Sequence, residues 1–328
     1  MIKNLEIKNF KSIKHLKLDC KRINLFIGEP NTGKSNILET LGILSHVYYG
    51  NIKDFVRFET MSNLFYDESL DDTIDLKFDE NIILIDFTEG MFRGVDNLEI
   101  LVGGDRTERL AFDYDYRGSG GHNPHDEYKF LKFYKFKVKR SFPRQESDFL
   151  LPPFADNLLA IVLTRKEIKR LVKQIFDAYG LRVVLKPQEN QIEVQKEIED
   201  VIISYPYSLV SDTLQRIIFY LVAMETNENS VLVFEEPEAH AFPYYTKILA
   251  ERIALDKANN QYFIATHNPY LLLSILEKAH KDDVAIFITY FEDYQTKVKQ
   301  LSEKELTEIM DLGIDLFFNI ERFIEVKE

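Results

Sequence analysis

The sequence predicts an α/β fold with a mostly parallel core sheet, an antiparallel β-rich section and a helical lobe. Three observations predict it. The apolar run Ile23-Asn24-Leu25-Phe26-Ile27 leads straight into Gly28-Glu29-Pro30-Asn31-Thr32-Gly33-Lys34-Ser35 and then into residues with helical spacing; a glycine-bracketed loop between strand and helix belongs to parallel α/β sheets. After residue 209, strand-like and helix-like segments alternate, the pattern of parallel strands joined by crossover helices. Between residues 54 and 140 the text breaks into short alternating runs, at 73–78, 82–87 and 129–139, which suit antiparallel strands.

Taken in order, residues 2–9, 14–20 and 23–27 read as strands joined by short polar turns. Residues 36–48 carry Ile37, Leu38, Leu41, Leu44 and Val47 at helical spacing, closed by Gly50. The loop 117–124, rich in glycine and ending in Pro124, interrupts the β-rich section as a tip. Residues 158–179 read as one amphipathic helix stopped by Gly180, and 181–194 return to strand-like sequence. Helices at 209–225, 244–255 and 270–279 then alternate with strands at 230–234, 261–265 and 284–290. Residues 306–324 place Ile309, Leu312, Leu316, Ile320 and Phe323 at helical spacing, a face that packs on the core or meets a partner. The chain thus reads as one unit over 1–328, with a first lobe at 1–53, a β-rich insertion at 54–145, a helical lobe at 146–228 and a last lobe at 229–328.

The 328 residues are 45% hydrophobic and 29% charged, an ordinary globular composition able to bury a large core. Cys20 is the single cysteine, which excludes an internal disulfide framework and fits a reducing, cytoplasmic setting. The longest uninterrupted apolar run, from Ile217 to Met224, is far shorter than a membrane span. A net charge of −13 argues against indiscriminate DNA binding, which depends on phosphate neutralisation. The charge is uneven: 15 acidic and 4 basic residues lie between Tyr66 and Asp115, against 7 basic and no acidic residues between Lys129 and Arg144.

The loop Gly28–Ser35 has the chemistry of a phosphate cradle. Its glycines let successive N–H groups turn toward an anion, and the following helix adds the positive end of its dipole. Lys34 reaches β- and γ-phosphates, and the Ser35 hydroxyl is a magnesium ligand. A second element is Val231-Leu232-Val233-Phe234-Glu235-Glu236-Pro237-Glu238, an apolar strand ending in paired carboxylates. The first carboxylate, Glu235, suits a metal contact through water, and the second, Glu236, suits orientation or deprotonation of an attacking water. A third is Phe263-Ile264-Ala265-Thr266-His267-Asn268-Pro269, with His267 31 residues after Glu236. A neutral imidazole at that strand end can hydrogen-bond a γ-phosphate or the lytic water.

Together these residues resemble an ABC-type P-loop NTPase, the ATPase head of the group that includes RecF, the structural-maintenance-of-chromosomes heads and the overcoming-lysogenisation-defect nucleases. The likeness begins at Ile2-Lys3-Asn4-Leu5-Glu6-Ile7-Lys8-Asn9-Phe10-Lys11-Ser12-Ile13, matching the opening strand pair, where a basic residue at the position of Lys11 approaches the nucleotide. Gly28–Ser35 matches Walker A, residues 234–238 the Walker B segment, and His267 the switch histidine. The resemblance implies ATP and Mg2+ as cofactors. It makes Gly28, Asn31, Thr32, Gly33, Lys34, Ser35 and the adjoining Asn36 the nucleotide contacts, Ser35 and Glu235 the metal pair, and Glu236, His267 and Lys34 the catalytic set. It also implies a signature helix that meets the γ-phosphate of a second subunit. Ser208-Leu209-Val210-Ser211-Asp212-Thr213-Leu214-Gln215-Arg216 stands at the right distance, with Ser211 24 residues before Glu235, although the usual following glycine is missing. Ser211 reads either as that trans contact or as an ordinary helix cap.

Two further departures stand out: no glutamine occurs between residues 1 and 144 to serve as the usual glutamine loop, and no heptad run supplies a coiled-coil arm. Nor do the residues after His267 hold an acidic cluster of the Toprim kind. The family reading is therefore a bare ATPase head that dimerises over ATP and signals to a separately encoded nuclease or toxin effector, in DNA repair or phage defence. Two other readings stay open. One is a nucleic-acid clamp using the strip 129–144, where period-two alternation would put Lys135, Lys137 and Lys139 on one strand face, against the alternative that its aromatics are core and its lysines solvated. The other is a nucleotide-gated module that does not hydrolyse. His122, His125 and Asp126 lack the further ligands a metal site needs.

Overall fold

The computed structural model describes residues 1–96, 109–312, 317 and 319–324. The chain opens with two antiparallel strands, β1 (Asn4–Phe10) and β2 (Ile13–Asp19), turning at Lys11 and Ser12. The third strand, β3 (Ile23–Gly28), is buried along its whole length, as its unbroken apolar run requires of a strand covered on both faces. It feeds the loop and then α1 (Lys34–Tyr49), followed by the short α2 (Ile52–Phe55).

Residues 74–122 supply β4 (Ile74–Phe78), β5 (Asn81–Thr88), β6 (Met91–Asp96), β7 (Arg109–Tyr114) and β8 (Gly120–His122). With β1 and β2 they form a seven-stranded antiparallel sheet in the order β2-β1-β4-β5-β6-β7-β8. The next strand, β9 (Leu131–Tyr134), leaves that sheet and pairs elsewhere. The run expected as a strand over 129–139 therefore ends at Tyr134. Residues 135–140 are irregular, and Lys135, Lys137 and Lys139 do not form one strand face.

The single helix expected over 158–179 is two helices, α3 (Leu158–Thr164) and α4 (Lys166–Asp177). Arg165 between them is extended, and its guanidinium donates to the carbonyls of Ser147 and Asp148. A three-stranded meander follows, β10 (Arg182–Lys186), β11 (Gln191–Ile198) and β12 (Val201–Pro206), longer than the strand-like stretch expected to end at 194.

The rest alternates as expected: α5 (Asp212–Thr226), β13 (Val231–Glu235), α6 (Pro243–Ala254), β14 (Gln261–Ala265), α7 (Pro269–Lys278) and β15 (Val284–Glu292); β16 (Gln295–Gln300), an antiparallel partner of β15, was not read from the sequence. Two helices, α8 (Glu303–Leu312) and α9 (Ile320–Ile324), replace the continuous helix expected over 306–324; Leu316 lies outside the described residues. Of the helical face proposed there, Ile309, Ile320 and Phe323 are buried in the core.

The second sheet has the order β16-β15-β3-β14-β13-β9, with β15, β3, β14, β13 and β9 parallel and β16 an antiparallel edge. It divides two apolar clusters. Phe26, Val233, Phe263 and Phe287 face α1 and the antiparallel sheet, whereas Leu25, Phe234, Ile264 and Ile286 face α3 to α7. Among the described residues no helix is long and apolar enough to cross a membrane.

Candidate nucleotide site

The loop between β3 and α1 is built on two glycines that no other residue could replace without strain. Gly33, at φ 96°, caps α1, and a Cβ there would collide with the Thr296 side chain on β16. Gly28, at φ 148°, would collide with the backbone of Thr289 on β15. The loop is thus clamped from outside. The hydroxyls of Thr32 and Thr289 meet at 2.7 Å, and Ser12 Oγ lies 2.7 Å from Thr296 Oγ1. Asn36, an expected nucleotide contact, donates from Nδ2 to Ser12 Oγ at 2.7 Å and ties α1 to the β1–β2 turn.

Lys34 is 6% exposed and folds back over the loop, donating from Nζ to the carbonyls of Gly28 at 2.9 Å and Glu29 at 2.6 Å. Burial lowers its pKa to about 8, with Glu236 and Glu29 pulling the other way. A buried ammonium held by neutral carbonyls is suited to accept an anion. Ser35 follows at the first turn of α1, partly exposed.

Glu235 and Glu236 stand at the end of β13, and His267 follows the end of β14, the strand hydrogen-bonded beside it. Glu236 has φ 44°, a left-handed conformation that is costly for a side-chain-bearing residue and typical of functional turns. Its N–H donates to Ala265 O at 2.9 Å, locking the two strand ends together. His267 Nε2 lies 3.6 Å from Glu236 Oε1. Burial, and then the Lys34 charge, hold the imidazole pKa below its ordinary value, against the pull of Glu236, which favours the neutral ring at physiological pH.

Lys11 approaches this edge but is already engaged. Its ammonium is ion-paired with Glu39 and donates to Arg57 O at 2.6 Å. Glu39 is fully buried on α1, and Arg57 Nε donates to its Oε1 at 2.7 Å. The other end of the guanidinium, Nη2, reaches Glu235 Oε1 at 3.4 Å. Glu39 and Arg57 escaped the sequence reading; the signal for Glu39 was a lone carboxylate one turn after Ser35 within an apolar helix. Lys135, half-buried, adds a second cation near Glu235.

Ser211 takes the N-cap position of α5, yet its side chain makes no capping bond and is exposed. The helix it precedes is tied to the turn after β13 of its own chain. Thr213 Oγ1 donates to His240 O at 2.8 Å, and Arg216 Nη1 to Glu236 O at 3.4 Å. No hydrogen bond or ion pair joins Ser211 to the Gly28–Ser35 loop among the described residues.

The donors match a magnesium nucleotide. Ser35 Oγ and the Glu235 carboxylate are hard oxygen ligands of the kind magnesium takes in small number beside phosphate and water, and the N–H-rich turn with Lys34 is an anion site. The weaker candidates separate out. His125 Nδ1 lies 2.6 Å from the buried Asp96, which also holds Arg109, so that histidine is structural. In the basic strip Lys132 is buried on Asn227 and Ser230, Lys135 donates to Phe55 O, Lys137 covers the Phe154 ring and Lys139 is ion-paired with Asp156.

Residues 1–202 match the family described as AAA ATPase domain. The chain belongs to that family. The match includes the Gly28–Ser35 loop and stops before Glu235, Glu236 and His267. Among solved structures, an Smc head bound to the C-winged helix domain of ScpA is 15% identical, with 94% of this chain and 99% of that one covered and a TM-score of 0.57. The Smc head domain with an extended coiled coil bound to the C-terminal domain of ScpA, derived from Pyrococcus furiosus, is 14% identical, with 95% and 99% covered and a TM-score of 0.56. No curated protein matches the chain. The AAA ATPase domain therefore has the fold of an ABC-type, SMC-like ATPase head. It carries no coiled coil among its described residues, where the longest helix, α1, has 16 residues.

Proposed function

We propose that this AAA ATPase domain binds and hydrolyses ATP with magnesium, and that two copies close over two nucleotides. The observation that carries the reading is the Glu236–His267 pair, 3.6 Å apart on neighbouring strand ends at the edge where the Lys34 loop also lies. Glu236 orients or deprotonates the lytic water, and the neutral His267 hydrogen-bonds the γ-phosphate or that water. The N–H groups of the Gly28–Ser35 loop, with Asn31 and Thr32, bind the phosphates, and Lys34 exchanges its carbonyl partners for phosphate oxygens. Ser35 and Glu235 would hold magnesium, which supplies charge neutralisation at the phosphate oxygens. Lys11 would approach the nucleotide from the β1–β2 turn, which Asn36 keeps against α1.

The exposed Ser211 side chain, which makes no capping bond to α5, supports a role in trans. The Smc heads of similar fold are described as bound to ScpA domains; here the corresponding output is a conformational signal to a separately encoded effector, in DNA repair or phage defence. The partnered lysines of residues 132–139 speak against the nucleic-acid clamp.

Glu236→Gln tests the reading. The variant is expected to bind ATP, lose hydrolysis by at least roughly 100-fold and shift to a dimer by light scattering when ATP is added. Turnover at the level of the unchanged protein removes Glu236 from the catalytic set.

A further inference from the structure

Glu238, two residues beyond Glu236 in the turn after β13, has no task in the site described above. Its side chain is 4% exposed, an uncommon place for a carboxyl group with no cation bonded to it. Oε1 accepts a hydrogen bond from the Thr266 hydroxyl, and Oε2 is buried without a hydrogen-bond partner. Burial pushes the carboxyl up to about 7. Thr266 is itself fully buried. Its Oγ1 accepts the N–H of Asn268 at 3.0 Å, and its own N–H donates to Phe26 O at 3.1 Å. A chain of bonds therefore runs from Asn268, the cap of α7, through Thr266 to Glu238, and His267 is the residue between the two anchored neighbours.

We propose that Glu238 is a positioning residue: through Thr266 it ties the turn carrying His267 to the turn carrying Glu236, and so sets the spacing of those two side chains. The proposal rests on the catalytic assignment of Glu236 and His267. Beyond the backbone bond from Glu236 to Ala265, Glu238–Thr266 is the side-chain hydrogen bond that joins the two turns among the described residues. Bonds in series polarise one another, so the hydroxyl that donates to Glu238 is a better acceptor for Asn268. An apolar residue would fill the same space but leave the Thr266 hydroxyl free to rotate away.

The test compares Glu238→Ala, Thr266→Val and Glu238→Gln with the unchanged protein. It measures the Kd of a fluorescent ATP analogue with magnesium, kcat and KM for ATP, and the His267 imidazole NMR resonances of the nucleotide-free protein. Glu238→Ala and Thr266→Val are expected to lower kcat at least roughly tenfold, leave Kd and KM within about twofold, and move the His267 resonances. Glu238→Gln keeps an acceptor for Thr266 and is expected to stay within about threefold of the unchanged protein throughout. The proposal is overturned if Glu238→Ala and Thr266→Val keep kcat within about twofold with the His267 resonances in place, or if Glu238→Gln loses as much as Glu238→Ala. If Glu238→Ala does not fold, Thr266→Val and Glu238→Gln decide by the same criteria. If the unchanged protein hydrolyses no ATP, the assignment of Glu236 fails separately, and the His267 resonances decide the positional claim.

Discussion

Arg57 Nε donates to Glu39 Oε1 at 2.7 Å, and Glu39 is fully buried beneath it. One carboxylate on α1 thereby holds the cation of the β1–β2 turn, Lys11, and a guanidinium that extends to Glu235. A buried charge of this kind persists only when paired and hydrogen-bonded.

Replacing Glu39 with Gln removes the charge while keeping the shape. It leaves the Lys11 ammonium without its carboxylate and Arg57 with Glu235 alone, and the expected cost is about 3 kcal/mol of folding free energy. Arg57→Ala is expected to cost about 1 kcal/mol, because most of that side chain is exposed. Urea unfolding of the two variants checks the order; equal losses contradict the central place given to Glu39.

Lys34 carries a pH signature of its own. Its folded pKa, about 8, lies below the ordinary 10.5, so between these values the unfolded chain binds more protons than the folded one. Its burial therefore weighs against folding below pH 8 and is relieved as pH rises from about 8 toward 10.5. Lys34→Met is expected to remove that part of the alkaline gain in stability while lowering ATP affinity roughly 100-fold, the worth of about 3 kcal/mol of charge-assisted bonding. Paired denaturation curves at pH 7.5 and 10, as about two convenient points in that window, and a binding titration check both arms.

His46 acts at the acid end. It is fully buried on α1 against Phe112, its Nε2 has no hydrogen-bond partner, and burial drops its pKa to about 3. The unfolded chain takes up this proton below its ordinary value of 6.5 and the folded one does not, so stability falls as pH falls from 6.5 toward 3. The expected slope from this residue is about 1.4 kcal/mol per pH unit. His46→Gln is expected to flatten the acid limb by that amount; an unchanged limb refutes it.

Gly33→Ala places a methyl group against Thr296 at a φ of 96°. The expected loss is about 1–3 kcal/mol of stability, together with ATP binding. Adding Thr296→Gly removes the collision but not the backbone strain, so stability is expected to return only in part. Full recovery in the double variant would leave backbone conformation without a role.

The parts legible in the sequence were those governed by local chemistry. Walker A showed itself because a phosphate cradle needs glycines at fixed offsets, and β13, β14 and β15 because strands covered on both faces are continuously apolar. The break at Arg165 was illegible: there the chain is extended and the guanidinium bonds carbonyls of Ser147 and Asp148, some 17 or 18 residues away. Lys132 was likewise hidden, since the groups that hold it, Asn227 and Ser230, come from the far side of α5 in sequence.

By itself the sequence determined that this chain presents a phosphate loop, a carboxylate pair and a histidine in the order of an ABC-type ATPase head, because spacing along strands and helices fixes which end of the sheet each motif reaches. Only the tertiary structure decided that Glu39 and Arg57 neutralise Lys11 and Glu235, that Thr289 and Thr296 clamp the loop from β15 and β16, and that Thr266 binds the buried Glu238. Those relationships join residues from 18 to 263 positions apart. They depend on which groups lose water together when two sheets and their helices close, and local pattern carries no record of that.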